Sequence, residues 1–488
     1  MRKIVILLLA ALALSACLTI DESNFKALEP IGFNEVPATI DVSLGQTLVY
    51  DKLVVTSNLP LEYQWAYGKK KLSGKTEYDM ESMEVISTDP QINYTFKKLG
   101  SYILRLRVDN GESVEYKHFT LNVNSGLDEG LLILEGDEDG ADCGLTFIKR
   151  RNEDEIAEGA REIWEDVFTT MNPDCRLQNA KSLFLSAFVA GGISYNHLAI
   201  ATGDADGTIY DLDPKTMTVV STLAMRDEYG TWCEDFAGAQ TSSGGAYTFL
   251  RGGNGHVYRY DLFSPFITER TDCWTTAGEV SDSRMLIYSA GTNGTLYTKS
   301  AFYTDSFICQ PGTTATTAIL YAPSGWKIVN FCPDRDANKV YVLLQSQSNP
   351  SAFAIKSTTG SLQAFKDVTE FTADAVTMDS SSRFCGSLNS NDVYYVWNNR
   401  VYRWGLATKP SDSAVITLPE GETVCDIATN FMGARGDGTE ETLLYIATWS
   451  RGSQGSVYVY DIATDSLQKT YKSVCRRPIK LLYKYRIS

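Results

Sequence analysis

The residues best suited to chemistry are tryptophans. Trp232 stands in Gly230-Thr231-Trp232-Cys233-Glu234-Asp235 and Trp274 in Asp272-Cys273-Trp274, with Trp326, Trp397, Trp404 and Trp449 further on. An indole face stacks on the apolar face of a sugar while nearby Asp, Glu or Asn take its hydroxyls, the mixed lining of most ligand pockets. Trp232, Trp274, Trp326 and Trp449 are therefore the candidate ligand-binding residues. The competing reading makes the same indoles packing between repeated sheets. Two acidic loops, Asp137-Glu138-Asp139-Gly140-Ala141-Asp142 and Asp204-Ala205-Asp206-Gly207, carry Asp at spacings a hard cation uses. Asp137, Asp139, Asp142, Asp204 and Asp206 are thus weak candidates for Ca2+, although neither loop continues to the bidentate Glu of a complete calcium loop. Otherwise no cofactor or metal is expected.

No catalytic residue is assigned. Gly-x-Ser-x-Gly and His-Glu-x-x-His are both missing, and the three histidines are His118, His197 and His256. Sixty Asp and Glu residues keep one enzymatic alternative open, a polysaccharide hydrolase or lyase with paired carboxylates. Nine cysteines lie beyond Cys17, an odd number without a Cys-x-x-Cys, so no zinc site is expected. Pairings such as Cys233 with Cys273 stay open beside a reading of buried small hydrophobes.

These residues sit on a chain of 488 residues with a formal charge of −16, a poor partner for nucleic acid because nothing on it would replace phosphate counterions. The N-terminus reads as an export signal. Arg2 and Lys3 precede an apolar run from Ile4 to Leu14, too short to span a bilayer but suited to a signal peptide. Leu14-Ser15-Ala16-Cys17 resembles the bacterial lipobox, which implies cleavage after residue 16 and lipidation of Cys17. Asp21 and Glu22 resemble the surface-export signal of Bacteroidetes lipoproteins. Residues 17–35 are expected to be a lipid-anchored linker.

Residues 36–125 alternate with period two in short runs broken by turns, the pattern of an immunoglobulin-like β-sandwich. Tyr63-x-Trp65, Gly100-x-Tyr102 and Val108-x-Asn110 resemble the PKD family, with Tyr67-Gly68-Lys69 where the family has Gly-Asp-Gly. Trp65 is expected in the core.

Residues 127–488 repeat. Gly207-Thr208-Ile209-Tyr210, Gly255-His256-Val257-Tyr258, Gly294-Thr295-Leu296-Tyr297, Asn338-Lys339-Val340-Tyr341, Asn399-Arg400-Val401-Tyr402 and Gly455-Ser456-Val457-Tyr458 recur at intervals of 48, 39, 44, 61 and 56 residues. Such periods mark propeller blades. Six copies, with Gly130–Leu134, Leu145–Ile148 and Ile479–Tyr485 as parts of a split seventh, predict a seven-bladed β-propeller; six or eight blades are the alternatives. An insert at about 152–190 predicts a helix over 155–168, with Ile156, Ala160, Ile163 and Val167 on one face and Trp164 docking it.

The fold expected is therefore all-β, a PKD-like sandwich followed by a propeller with a short helical insert. The whole resembles PKD-like family lipoproteins of Bacteroidetes. That resemblance implies an outer-membrane, surface-exposed, lipid-anchored binding or scaffold protein. Its implied partners are the membrane, a SusC/SusD-type uptake complex, and a glycan or peptide ligand. Besides the hydrolase, the other alternative is a purely structural docking subunit.

Overall fold

The structure, a computed structural model, describes residues 27–44, 46–69, 83–157, 159–190, 193–239, 247–261, 266–269, 284–288, 295–302, 305–310, 318–334, 339–359, 362–379, 382–386, 392–430 and 443–485. Residues 1–16 and Cys17 lie outside this range. The chain divides into two units, Met1–Gly126 and Leu127–Ser488.

The first unit is a two-layer β-structure. Thr39–Ser43, Val114–Asn124, Gly100–Asp109, Glu62–Lys69 and Glu84–Ser87 form a five-stranded sheet in that order, and Thr47–Tyr50 pairs with Ile92–Thr95. Thr39–Ser43 runs parallel to Val114–Asn124; the other pairings are antiparallel. Period-two alternation puts Leu104, Leu106, Val108, Phe119 and Leu121 on the buried side with Trp65, Ile92 and Phe96. The indole of Trp65 is 1% exposed and donates to Asp89 O at 3.2 Å. Gly100 has φ +143°, and a Cβ there would lie 3.4 Å from the Tyr102 ring, whose hydroxyl donates back to Leu99 O at 3.0 Å. Asn110 closes its turn by accepting from Ser113 N (2.7 Å) and donating to Glu29 O (2.9 Å). Glu29 and the strand Gly32–Phe33 are thus built into this unit, which begins earlier than residue 36.

Among the described residues the second unit contains seven four-stranded antiparallel sheets. Blade 1 is Ala180–Ala190, Ile193–Thr202, Thr208–Leu212 and Val219–Ala224. Blade 2 is Cys233–Ala239, Tyr247–Gly252, Val257–Asp261 and Phe266–Glu269. Blade 3 is Arg284–Tyr288, Thr295–Phe302, Asp305–Gln310 and Ala318–Tyr321. Blade 4 is Trp326–Pro333, Lys339–Ser346, Ala352–Thr359 and Lys366–Thr372. Blade 5 is Phe384–Gly386, Val393–Trp397, Arg400–Trp404 and Ile416–Thr417. Blade 6 is Thr423–Thr429, Leu443–Trp449, Gly455–Asp461 and Ser466–Cys475. Blade 7 is split: its first strand is Arg477–Lys484, followed in the sheet by Gly130–Gly136, Cys143–Lys149 and Ile163–Trp164.

First strands pack on the first strands of neighbouring blades, and the seam clusters pack sheet on sheet, so the unit is a β-propeller whose first strands surround its axis. The ring is closed by the C-terminal strand, paired from Gly130↔Lys484 to Gly136↔Arg477 with one bulge. A buried latch holds that strand. Lys484 Nζ donates to Leu127 O and Asp128 O, both at 2.6 Å, and the Tyr483 hydroxyl donates to Glu129 at 2.6 Å.

Two expectations need correcting. The helix over 155–168 does not form: Glu153–Ala157 and Val167–Met171 are separate short helices. Between them Gly159 (φ 70°) breaks the helical backbone, and Ile163 and Trp164 pair with Ile148 and Phe147 as the outer strand of blade 7. Sheet pairing overrides the helical period there. The repeated motif is also not one structural position. It opens third strands in blades 1, 2, 5 and 6 but second strands in blades 3 and 4, which explains its intervals of 39 and 61. Third strands themselves begin at Thr208, Val257, Asp305, Ala352, Arg400 and Gly455, at intervals of 49, 48, 47, 48 and 55.

Candidate functional site

A repeated irregularity of the first strands builds the site. The register slips by one residue between Ala180 and Ser182, Cys233 and Asp235, Ile328 and Asn330, and Val424 and Asp426, leaving Lys181, Glu234, Val329 and Cys425 as bulge residues. In blade 7 the partners of Leu134 and Glu135 are Lys480 and Pro478, so Ile479 is the extra residue. A bulge releases backbone groups from the ladder and redirects the next side chain. In each blade that next residue is polar and precedes an apolar one: Ser182-Leu183, Asp235-Phe236, Asn330-Phe331, Asp426-Ile427 and Lys480-Leu481. Arg383-Phe384 stands at the same place in blade 5.

These side chains bond to backbone groups of their own or the next blade and to one another. Phe236 N donates to Asp235 Oδ1 (3.0 Å) and Phe331 N to Asn330 Oδ1 (2.9 Å). Asn330 Nδ2 donates to Asp379 O at 2.8 Å. The Ser182 hydroxyl of blade 1 donates to Asp235 Oδ1 of blade 2 at 2.6 Å. Leu481 N of blade 7 donates to Asp426 Oδ2 of blade 6 at 2.8 Å. Arg383 Nη1 donates to Asp426 Oδ1 (3.2 Å) and Cys425 O (2.9 Å), and Lys480 Nζ to Asp235 Oδ1 (3.5 Å).

The result is a polar belt around the axis, described on six of the seven blades. Burial pushes the pKa of Asp235 up, but Lys480, the Ser182 hydroxyl, Arg251 and Arg383 outweigh it and hold the carboxyl below its ordinary value. Arg383, on blade 5, is held charged first by Asp426 and also by Asp235 on blade 2, so charges act across the ring. Arg383 is hemmed in by protein, yet 53% of its side chain meets solvent, as does 29% of both Asp235 and Lys480. Among the described residues the carboxyl shifted upward is Glu135, and it is sealed: burial raises it while the Thr146 hydroxyl (2.8 Å) and Arg476 N donate to it.

The residues singled out in the sequence are not members of the belt, although Trp232 borders its bulge residues Lys181 and Glu234. Strand direction puts the loops between blades, and the hairpins joining second to third strands, on one face of the ring. Trp232, Trp326, Trp449, Asp137, Asp139, Asp142, Asp204 and Asp206 all belong to that face. Each makes its own local contacts. Trp232 Nε1 donates to Glu234 at 2.6 Å, the Arg226 guanidinium lies 4.8 Å from its ring, and a Cβ on Gly253 would come within 2.4 Å of the indole. Trp326 packs half-buried against the cluster of Ile328 and Leu344. Trp449 donates to Ser453 O at 2.9 Å, with Arg477 5.4 Å from its ring. All three indoles are engaged by the protein itself. Trp274 and Cys273 lie outside the described residues.

The acidic loops spend their carboxylates on themselves. Asp204 Oδ1 accepts from Asp206 N (3.1 Å) and Thr208 N (3.0 Å), Asp139 Oδ1 accepts from Ala141 N (3.0 Å), and Asp142 pairs with Arg476 at 3.2 Å. Among the described residues no group of three or more His, Cys, Asp or Glu is placed to hold a metal. Cys143, Cys175, Cys233, Cys332, Cys385, Cys425 and Cys475 are free thiols. Burial raises the Cys233 thiol, consistent with a packing role. The belt itself went unread in the sequence. Its signal is the recurring polar–apolar pair at the start of each first strand, and Arg284-Met285 repeats it in blade 3.

No family model and no curated protein matches the chain. Among solved structures it is similar to a quinoprotein alcohol dehydrogenase-like protein from Bacteroides thetaiotaomicron, at 15% identity and a TM-score of 0.46, covering 94% of this chain and 100% of that one. It is also similar to the β-propeller domain of Cps50 (Swd1) from Myceliophteria thermophila, at 12% identity and a TM-score of 0.38, covering 62% and 88%. A DUF4784 family protein from Bacteroides caccae gives 8% identity and a TM-score of 0.29, covering 94% and 100%. The chain is an all-β protein carrying a β-propeller.

Proposed function

We propose that the protein is a lipid-anchored outer-membrane binding and scaffold protein, displayed at the cell surface as an accessory of a SusC/SusD-type nutrient-uptake system. In this reading Cys17 carries the lipid, a PKD-like sandwich serves as spacer, and the propeller holds a glycan or peptide for a partner. The observation that favours binding over hydrolysis is the state of the axial carboxylates. Asp235 is held ionised by cations, Asp426 is committed to Leu481 N and Arg383, and the upward-shifted Glu135 is closed to solvent. Glycoside cleavage needs one carboxyl kept protonated within reach of the scissile oxygen. The test expresses the chain and a Cys17→Ser variant in a Bacteroidetes host. The wild type should fractionate with the outer membrane and be cut by protease added to intact cells, while the variant is lost from the membrane. A glycan and peptide array should then show binding without product release; turnover abolished by one Asp or Glu substitution would replace this reading with the hydrolase.

A further inference from the structure

The axial belt has more hydrogen-bonding capacity than the ring consumes. Arg383 makes its bonds to protein through Nη1, leaving Nε and Nη2 without an acceptor among the described residues. Lys480 makes one long bond, and every bond to Asp235 ends on Oδ1, leaving Oδ2 unspent. Among the described belt residues Lys480 and Arg383 act on Asp235 and Asp426, and Arg251 stands beside Asp235 on the next strand. A chain of net charge −16 thus gathers cations at its axis. A carboxylate is planar and fits the two adjacent donors on the open edge of a guanidinium.

We propose that the axial belt binds a carboxylate-bearing ligand, its carboxylate received by Arg383 Nε and Nη2 with Lys480 alongside. This goes beyond the function proposed above, because it specifies the group recognised and its place, and it holds whether or not the chain is lipidated. Two sources supply such a group, a uronic acid of an acidic polysaccharide and the C-terminus of a peptide.

The full chain, purified in detergent, is titrated calorimetrically with trigalacturonate and its methyl ester, and with trialanine and its C-terminal amide. At least one free acid should bind ten or more times tighter than its neutral derivative, and the pair that discriminates identifies the source. R383K and K480Q, each with wild-type circular dichroism, should each weaken that binding about tenfold or more. The control K409A removes an exposed lysine paired with Asp412 and should leave it unchanged. Equal affinity for acid and neutral derivative, no binding of any of the four probes, or wild-type affinity in both folded variants overturns the proposal.

Discussion

Asp426 offers the sharpest test of how the ring is held. It is 4% exposed, its Oδ2 accepts from Leu481 N at 2.8 Å, and its Oδ1 pairs with Arg383 at 3.2 Å. Asp426→Ala strands a buried backbone N–H on the closing strand, which costs about 1–3 kcal/mol. The lost ion pair adds only about 0–1 kcal/mol, because half of the Arg383 side chain is open to solvent. The sum is about 1–4 kcal/mol. Asp426→Asn keeps an acceptor for Leu481 N while turning an amide toward Arg383, so it should cost about 1 kcal/mol. Urea unfolding followed by tryptophan fluorescence reads the difference. At a slope of about 3 kcal/mol per molar, D426A should lower the propeller midpoint by roughly 1 M and D426N by a third of that. In a double-mutant cycle with Arg383→Ala the coupling should stay below about 1 kcal/mol. If D426A unfolds with the wild type, or if D426A and D426N are equally weakened, the carboxylate does not cap the bulge and the stapling account fails.

Deleting residues 477–488 removes the first strand of blade 7 and exposes the edges of Gly130–Gly136 and of the ring together. The cooperative unfolding transition of the propeller should vanish, with the protein recovered as aggregate in size-exclusion chromatography. Acid should weaken the ring in a narrow window. Asp235, Glu162 and Glu422 all have lowered pKa values despite burial, the last two through Lys469 with Tyr471 and through Thr448 with Tyr458. Carboxyls held lower in the folded than in the unfolded chain contribute stability that is full above their ordinary unfolded range and is lost as pH falls through their lowered folded values. Urea midpoints measured from pH 7 to 3 should therefore hold steady and then fall, and Glu422→Gln should flatten the fall.

The fold was legible because hydrophobic alternation and turn residues act locally. Gly130–Leu134 and Ile479–Tyr485 each read as strands, and an open ring leaves two edges that only each other can cover. The register of the repeat was less legible, since Gly-x-x-Tyr hairpins suit the second and third strands of a blade equally. The helix over 155–168 misled for another reason: its apolar period is real, but Ile163 and Trp164 gain more from pairing with blade 7. The tryptophans drew attention through size and position, while the contacts that occupy them come from residues such as Arg226, Gly253 and Arg477 that no spacing announces.

The belt stayed hidden because its members are about fifty residues apart and chemically unlike: Ser, Asp, Asn, Arg, Asp and Lys. What unites them is the backbone. A bulge in a first strand frees an N–H or a carbonyl toward the axis, and a buried backbone group must find a partner. Any side chain that donates or accepts can serve, so the position demands polarity without prescribing a residue. The Ser182 hydroxyl accepts from Phe236 N, Asn330 answers with both ends of an amide, and Asp426 with two oxygens shared between blades. The same latitude lets charge collect where the chain has least room to solvate it. Once Asp235 and Asp426 serve as acceptors, cations must follow to offset their burial, and Lys480 and Arg383 do so with donors left over. A device that closes the ring thereby leaves an unspent cationic edge on its axis.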